Sequence, residues 1–346
     1  MTHIIVLRFS AMGDVLMTVP VIDSLARQYP DVRITVVSRP WAKAIFEQLP
    51  KNVKFVGVDL HGEYAGYKGL NLIGRRLLAL QPSHIADLHD VLRTKWLRLR
   101  LNLAGLHVEH INKDRRARKA FIEAPVKEQQ RTAIEKYVEV FHRLGFTDLH
   151  VDFRSLYPEG GADLSTTLPS FDLSARPERY WVGIAPFAAH QGKVYPRAQL
   201  EEVIQQLDNR GDTRLFLFGA GKAESDDLDA LAARYTHVEN VAGKLQGINE
   251  ELALISHCKA MLTMDSSNMH LASLAAVPVI SIWGATHPLG GFLGYRQSME
   301  DALQCADLTC RPCSIYGHKP CLFGDYHCMT GIAPETVVAQ IEKHLR

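Results

Sequence analysis

Residues 262–284 constrain the fold of this 346-residue chain more than any other stretch. They read as a buried strand that ends at Asp265, a short polar turn, a helix of small residues and a second apolar strand over 277–283. A turn that opens a helix at the end of a parallel strand presents unpaired N–H groups and the positive end of the helix dipole. Such a position binds phosphate. The segment therefore predicts a parallel α/β sheet with a nucleotide at this turn.

The amino-terminal segment has a similar strand–turn–helix pattern. Residues 4–9 form an apolar run, a polar turn follows, and apolar spacing predicts one amphipathic helix over 14–29. Gly13 permits a tight turn, and Asp14 falls at or just inside the helix start. The glycines of the G-x-G-x-x-G fingerprint are absent here, which disfavours a plain NAD-binding domain.

Strands and amphipathic helices alternate along both halves of the chain, which predicts two Rossmann-like, doubly wound α/β domains. A stretch rich in Pro, Gly, Ser and Asp separates them and is the natural linker. The predicted limits are 1–160 for the first domain, 161–178 for the linker, 179–332 for the second domain and 333–346 for a terminal helix. Ligands of such folds bind at the carboxyl ends of the strands, so we expect both parallel sheets to face a central cleft.

Charge and hydropathy exclude several classes of function. Lys plus Arg number 39 and Asp plus Glu 38, so the chain lacks the excess of cations typical of a general nucleic-acid binder. No apolar run has the length of a membrane span, and the first strand is too short for a signal peptide. We therefore expect a cytoplasmic protein with at most peripheral contact to the inner membrane.

Four segments in order along the chain match one family. LRFSAMGDVLMTVP at 7–20 opens the chain, KVYP stands at 193–196, the block 265–288 follows, and a cysteine-rich tail spans 310–329. Together they resemble the bacterial lipopolysaccharide heptosyltransferases, the family-nine glycosyltransferases, which usually have Trp where Tyr195 stands. The resemblance implies the GT-B fold, with the acceptor on the first domain and an ADP-sugar donor on the second. In that arrangement the last helix can cross back to the first domain. It implies no metal or other cofactor.

The implied reaction moves a heptose from ADP-L-glycero-D-manno-heptose to a Kdo or heptose unit of a lipid A-linked core, with inversion. Such a transfer needs a base for the acceptor hydroxyl, and Asp14 matches the family position for it. The alternative is that Asp14 only caps the helix and offsets its dipole.

Lys193 follows a strand and a loop, and Pro196 suits the first turn of the next helix. A cation there would neutralise the charge that grows on the departing ADP. The alternative is a solvated loop lysine. Ala188 and Ala189 depart from the family, whose members often place hydroxyl residues against phosphate at these positions.

The remaining donor residues follow from the turn and from the resemblance. Ser266 and Ser267 would offer hydroxyl and N–H groups to the diphosphate, although relatives usually have Gly at position 267. His270 either faces the leaving group or packs as a core histidine. The full set of predicted donor-binding residues is Asp265, Ser266, Ser267, His270, Glu224, Gly284 and Thr286. Glu224 has an equally plausible role as a helix-start charge.

The predicted acceptor site is an anion-binding surface. A basic run over 113–119 follows the fifth strand of the first domain, and further cations lie over 93–98. A lipopolysaccharide inner core bears carboxylates and phosphates that such cations would bind. The candidate acceptor-binding residues are Ser10, Arg93, Lys95, Arg115 and Arg116. The alternative is a solvated basic face.

Five of the six cysteines fall between positions 305 and 328. Four of them are spaced in a way that a structural zinc could use, namely Cys310, Cys313, Cys321 and Cys328. The intervals match no common zinc motif, however, and the family has no general metal requirement, so no metal is the preferred interpretation. Disulfides are not expected in the cytoplasm.

Two other functions compete with a transferase. A nucleotide-sugar epimerase can use the same fold and would need no lipid acceptor. A non-catalytic nucleotide-sugar or zinc-binding protein on a degenerate transferase is the second, since Ala188, Ala189 and Ser267 depart from the family pattern.

Overall fold

The computed structural model describes residues 2–169, 171–172, 174–305 and 308–346. The chain forms two compact units. The first comprises Met1–Asp114 and Arg131–Leu156, and the second comprises Arg115–Gln130 and Tyr157–Arg346. The strands are β1 His3–Leu7, β2 Arg33–Ser38, β3 Val53–Gly57, β4 His84–Asp87, β5 His107–His110, β6 Tyr180–Ala185, β7 Thr213–Leu217, β8 Val238–Asn240, β9 Ala260–Met264, β10 Val279–Trp283 and β11 Ala302–Gln304.

Helices connect the strands in both units. They are α1 Met12–Leu16, α2 Val19–Gln28, α3 Lys43–Phe46, α4 Gly66–Ala79, α5 Leu92–Leu103, α6 Arg115–Glu123, α7 Ala133–Arg143, α8 Leu164–Thr167, α9 Arg197–Asp208, α10 Gly221–Ala232, α11 Ile248–Ile255, α12 Ser267–Leu274, α13 His327–Thr330 and α14 Pro334–Glu342. Single-turn 3₁₀ helices lie at Pro40–Ala42, Gln191–Lys193, Pro288–Gly290 and Met299–Asp301.

The first unit contains a five-stranded parallel sheet in the order β3-β2-β1-β4-β5. All five residues of β1 are buried, as expected for a strand covered on both faces. Because β1 pairs with β2 on one side and β4 on the other, the connections leave it in opposite directions. This switch point opens a crevice at the carboxyl ends of β1 and β4.

The second unit contains a six-stranded parallel sheet in the order β11-β10-β9-β6-β7-β8. Its switch point lies between β6 and β9, which are direct neighbours. Helix α9 shows how the helices attach, because Leu200, Val203, Ile204 and Leu207 are all buried at the spacing of one helix face. The structure confirms the predicted α/β class with two parallel sheets.

Several predicted limits differ from the structure. The helix expected over 14–29 is two helices, because Pro20 in the first turn of α2 has no N–H to continue the ladder of α1. Helix α6 and strand β11 were not predicted. The predicted linker contains α8 and the buried Leu164 and Leu168, while positions 170 and 173 lie outside the described residues.

Two segments lie in a different unit from the one predicted from the sequence. Residues 115–130, assigned to the first domain, are part of the second unit. The terminal helix was expected to cross back to the first domain, but α14 packs on α9 and β10 of the second unit. Its Val337 and Ile341 are fully buried there, so apolar burial explains the placement.

No helix in the described part of the chain combines the length and the apolar character needed to cross a bilayer.

Candidate functional site

The switch point of the second sheet brings together two predicted site residues. Lys193 is the last residue of the 3₁₀ helix Gln191–Lys193 that follows β6, and Asp265 is the first residue after β9. Lys193 Nζ lies 2.9 Å from Asp265 Oδ2, with 13% and 11% of the side chains exposed. Thr286, which follows β10, donates its hydroxyl to the same Oδ2 at 2.8 Å. Three loops that are distant in sequence therefore converge on one carboxylate.

Close backbone packing fixes this cluster, which consists of Lys193, Asp265 and Thr286. The Ala285 N–H donates to the Gly192 carbonyl at 2.8 Å. A Cβ added at Gly284 would lie 2.5 Å from that carbonyl oxygen and would also collide with Met329. Gly284 was predicted to bind donor, but what the structure shows for it is this close approach of two loops, which only glycine permits.

The cysteine-rich segment forms another wall of the cluster. Gly317, at a φ of +75°, packs so closely that an added Cβ would lie 2.7 Å from Lys193 Cδ. Cys313 N–H donates to the Ala285 carbonyl at 2.9 Å. The segment thus supports the lysine stem, a role that spacing alone did not indicate.

Arg311 is a structural residue of the site that the sequence analysis missed. Its side chain is buried and donates to the carbonyls of Gly284 at 2.8 Å, Trp283 at 2.9 Å and Thr286 at 2.9 Å. It also donates to the Cys305 carbonyl at 3.0 Å. One guanidinium therefore shapes the turn that presents Thr286. In the sequence, Arg311 stands between Cys310 and Cys313, and this arrangement matches no recognised motif that would have predicted its role.

The start of α12 is the predicted phosphate-binding turn. Ser266 is the N-cap residue in extended conformation, and its side chain makes no cap hydrogen bond. Its hydroxyl instead lies 3.0 Å from that of Thr263. Ser267 begins the helix, and His270 lies one turn further on, partly buried. The first-turn N–H groups lack a side-chain cap, as an anion site requires.

Glu224 forms its hydrogen bond at the start of α10 and not with Lys193, Asp265 or Thr286. Its Oε2 accepts the N–H of Ala220 at 2.7 Å, at the start of α10. This is the alternative role predicted for Glu224, that of a negative charge at a helix start.

In the first unit, Asp14 follows β1 at the other switch point. It lies in the first turn of α1, forms an ion pair with Arg8, and accepts the Ala11 N–H at 3.3 Å. Tyr137 donates its hydroxyl to the Asp14 carbonyl at 3.1 Å. The Asp14 side chain remains 37% exposed, whereas that of Arg8 is 7% exposed. The carboxylate is thus held from inside the protein and open on the other side.

Ser10 and His89 lie beside this carboxylate at the ends of β1 and β4. The Ser10 hydroxyl is 3.3 Å from His89 Nε2. Burial, together with the charges of Arg8 and Lys113, lowers the pKa of His89 to about 3. The imidazole is therefore neutral at physiological pH and leaves no second cation against Arg8. His89 was not predicted, since a lone histidine after a strand has no distinctive spacing.

The predicted acceptor cations separate into two groups. Arg93 and Lys95 lie in the first turn of α5, where Lys95 Nζ is 3.7 Å from Asp90. Arg115 and Arg116 are exposed on α6, in the second unit. The structure therefore places Ser10, Arg93 and Lys95 in one unit and the other two cations in the other.

Side-chain contacts with aromatic rings attach α6 to the rest of the second unit. Arg118 donates to the Tyr316 hydroxyl at 2.7 Å and stacks over Phe292. Phe121 meets the His287 ring at a centroid distance of 5.9 Å. The basic residues of α6 remain in solvent, and the contacts of Arg118 and Phe121 decide which unit the helix joins. The charge pattern alone therefore assigned residues 115–130 to the wrong unit.

The four cysteines singled out by spacing line one cavity of about 150 Å³. Burial and the neighbouring thiols of Cys310 and Cys321 raise the pKa of Cys313. Burial raises the pKa of Cys328 to about 11. In the described part of the chain, no group of three or more His, Cys, Asp or Glu side chains is arranged to hold a metal ion.

Comparison with known proteins identifies what this arrangement resembles. The model for glycosyltransferase family 9 (heptosyltransferase) matches residues 87–326. Lipopolysaccharide heptosyltransferase 3 of Escherichia coli K12 is 26% identical over 284 residues, covering 79% of this chain and 80% of the relative.

Two solved structures share the fold across the whole chain. E. coli ADP-heptose lipopolysaccharide heptosyltransferase II matches with a TM-score of 0.72 at 20% identity, covering 100% of this chain and 98% of the other. E. coli heptosyltransferase WaaC with ADP matches with a TM-score of 0.68 at 17% identity, covering 99% and 100%. These structures have the GT-B fold.

Proposed function

Since the chain belongs to glycosyltransferase family 9, the heptosyltransferases, we propose that it moves a heptose from an ADP-heptose donor to a lipid A-linked lipopolysaccharide core, with inversion. The observation that supports this most directly is the cluster of Lys193, Asp265 and Thr286 at the switch point of the second sheet. That position is where α/β sheets bind nucleotides. The donor and acceptor classes are those of its relatives, which include the E. coli ADP-heptose lipopolysaccharide heptosyltransferase II and lipopolysaccharide heptosyltransferase 3.

The donor diphosphate would lie at the start of α12. There the uncapped N–H groups and the hydroxyls of Ser266 and Ser267 would bind its oxygens. Lys193, released from or shared with Asp265, would neutralise the negative charge that develops on ADP as the glycosidic bond breaks. With this charge compensation the transfer requires no metal.

The acceptor would bind the first unit, where Asp14 would remove the proton from its attacking hydroxyl. The oxygen attacks the anomeric carbon as ADP departs, so the configuration inverts. Arg8 and the Ala11 N–H would hold the carboxylate in place, and its exposed side would receive the hydroxyl. Ser10 would contact the acceptor beside it, and the cations Arg93 and Lys95 of the same unit would bind its anionic groups.

Replacing Asp14 with Asn tests this proposal. Asn keeps an oxygen that can accept the Ala11 N–H, so the helix start is preserved while the base is lost. We expect turnover of ADP-heptose with a core acceptor to fall about 10²-fold or more. Donor binding, measured as the rise in melting temperature with ADP and ADP-heptose, should stay close to that of the unaltered protein.

The matched control is Asp226→Asn, which removes an exposed helical carboxylate paired with Lys222. It should leave both measurements unchanged. Stabilisation by UDP or GDP in preference to ADP would reject the heptose donor. Conversion of the donor without any acceptor would indicate an epimerase. Binding of ADP-heptose by the unaltered protein without any turnover would indicate a non-catalytic binding protein.

A further inference from the structure

Helix α5 has two apolar faces, and only one of them packs into the protein. Leu97 and Leu101 are fully buried in the core of the first unit. Leu92, Trp96, Leu99 and Leu103 follow one another at intervals of four, three and four residues, which places them on one separate stripe. The three leucines of this stripe are 85%, 52% and 80% exposed. Packing into the core of the first unit therefore does not account for the apolar residues of this stripe.

The neighbouring helix α4 extends this apolar surface. The two helices pack together, with Arg100 donating to Asn71 at 2.5 Å. The rings of Tyr67 and Trp96 lie 4.9 Å apart, and Tyr67 is 60% exposed. We call the resulting surface the α4–α5 face; it consists of Tyr67, Leu92, Trp96, Leu99 and Leu103.

The charged residues on α4 and α5 themselves all have one sign. Helices α4 and α5 contain no Asp or Glu and together contain Lys68, Arg75, Arg76, Arg93, Lys95, Arg98 and Arg100. Arg98 is neutralised by the buried Asp87 and by Asp90. Lys68, Arg75, Arg76 and Arg93 are exposed, and in the described part of the chain none of these four forms an ion pair. Charge complementarity therefore favours an anionic partner for this face.

We propose that the α4–α5 face docks on an anionic phospholipid bilayer. Exposed leucines flanked by Lys and Arg are typical of segments that lie in the membrane interface, and a Trp–Tyr pair prefers that depth. Cations near an anionic leaflet each strengthen binding, and the absence of acidic residues on both helices removes repulsion. The inference rests on the proposed function in one respect: a lipid-linked acceptor would lie in the membrane, which gives the docking its purpose.

Vesicle co-sedimentation of the full chain tests the docking directly. The vesicles are phosphatidylcholine alone or with roughly 30% phosphatidylglycerol, both free of lipopolysaccharide. We expect binding to the anionic vesicles only, weakening as salt is raised. The triple variant Leu92→Ser, Leu99→Ser, Leu103→Ser should partition onto the anionic vesicles at least about tenfold less. It removes the exposed apolar area that docking on the bilayer would bury. Arg75→Ser with Arg93→Ser should lose affinity and most of the salt dependence.

A matched control replaces three exposed apolar residues of the second unit, Val126, Met299 and Leu322, with Ser. It should bind vesicles as the unaltered protein does. Far-UV circular dichroism and the ADP thermal shift establish that each variant is folded. Failure of the unaltered protein to bind anionic vesicles overturns the proposal, as does equal loss in the control.

Two further outcomes distinguish membrane docking from self-association and from the proposed transferase function. If light scattering shows a dimer that the leucine variant converts to a monomer, with no vesicle binding, the face is a self-association surface and the proposal is wrong. Because the vesicles contain neither donor nor acceptor, binding is independent of the proposed transferase reaction. Vesicle binding with no heptose transfer would sustain the docking and reject the proposed function.

Discussion

Lys193 Nζ lies 2.9 Å from Asp265 Oδ2, although the two residues stand 72 positions apart in the sequence. They meet because β6 and β9 are adjacent in the sheet, so the loops that follow them leave from neighbouring strand ends. Both side chains are largely buried, which strengthens the pairing relative to an exposed ion pair. A bound diphosphate would compete with Asp265 for the same ammonium group.

Lys193→Met should lower kcat by about 10²- to 10³-fold, because it removes the cation proposed to neutralise departing ADP. The effect should be measured as initial rates of ADP release with saturating acceptor. Lys222→Met, which removes an exposed lysine on α10, serves as the control and should leave kcat unchanged. An unchanged kcat in Lys193→Met would mean that the lysine only pairs with Asp265.

Arg311→Met should destabilise the protein by about 3 kcal/mol or more, because several buried carbonyls lose their donor together. The ADP thermal shift should also shrink, since Thr286 loses its support. Urea unfolding followed by fluorescence measures the first effect. Arg234→Met, which breaks a pair between Glu201 and a solvent-exposed guanidinium, should leave the unfolding free energy nearly unchanged. Equal losses in the two variants would contradict the structural role of Arg311.

Unfolding free energy should fall as the pH drops below about 6.5, partly because of His89. Its pKa is about 3 in the folded protein and 6.5 in the unfolded chain, so only the unfolded chain takes up a proton in this window. The loss from this residue should reach about 3 kcal/mol by about pH 4.

Denaturant unfolding at several pH values measures this loss, and His89→Leu should flatten the slope between about pH 4 and 6.5. Replacing the exposed His61 with Leu should preserve it. An unchanged slope in His89→Leu would assign the pH dependence to other groups.

The six thiols should differ in reactivity in a defined order. Cys310 is exposed and should react first with a disulfide reagent near pH 8. Burial raises the pKa of Cys258 to about 12 and that of Cys328 to about 11, so both stay protonated and should react last. Mass spectrometry of time-quenched samples gives the order site by site. Early modification of Cys258 would contradict the burial of that residue.

A chelator should leave the transfer rate unchanged if Lys193 and the start of α12 provide the charge compensation. Rates before and after treatment with EDTA, with re-added zinc or magnesium, measure this. Loss of activity that returns with metal would show that a metal ion takes part, and the cavity lined by Cys310, Cys313, Cys321 and Cys328 would then be the first place to look.

The sequence by itself determined the fold class and the two turns that matter most. Continuous apolar strands, each followed by a polar turn and an amphipathic helix, admit few arrangements other than parallel sheets. Asp14 and Asp265 were located from this local pattern, because the end of a strand and the start of a helix are encoded by adjacent residues. The family resemblance added Lys193, which local pattern alone would not separate from any other loop lysine.

Only the tertiary structure decided which residues share a site. Strand order brings Lys193, Asp265 and Thr286 together, and order is set by packing between segments far apart in sequence. The same packing placed residues 115–130 in the second unit, through contacts such as Phe121 with His287 that no charge pattern encodes. Periodicity is a local property of the chain, whereas burial of a polar group such as Arg311 depends on what the whole fold brings against it.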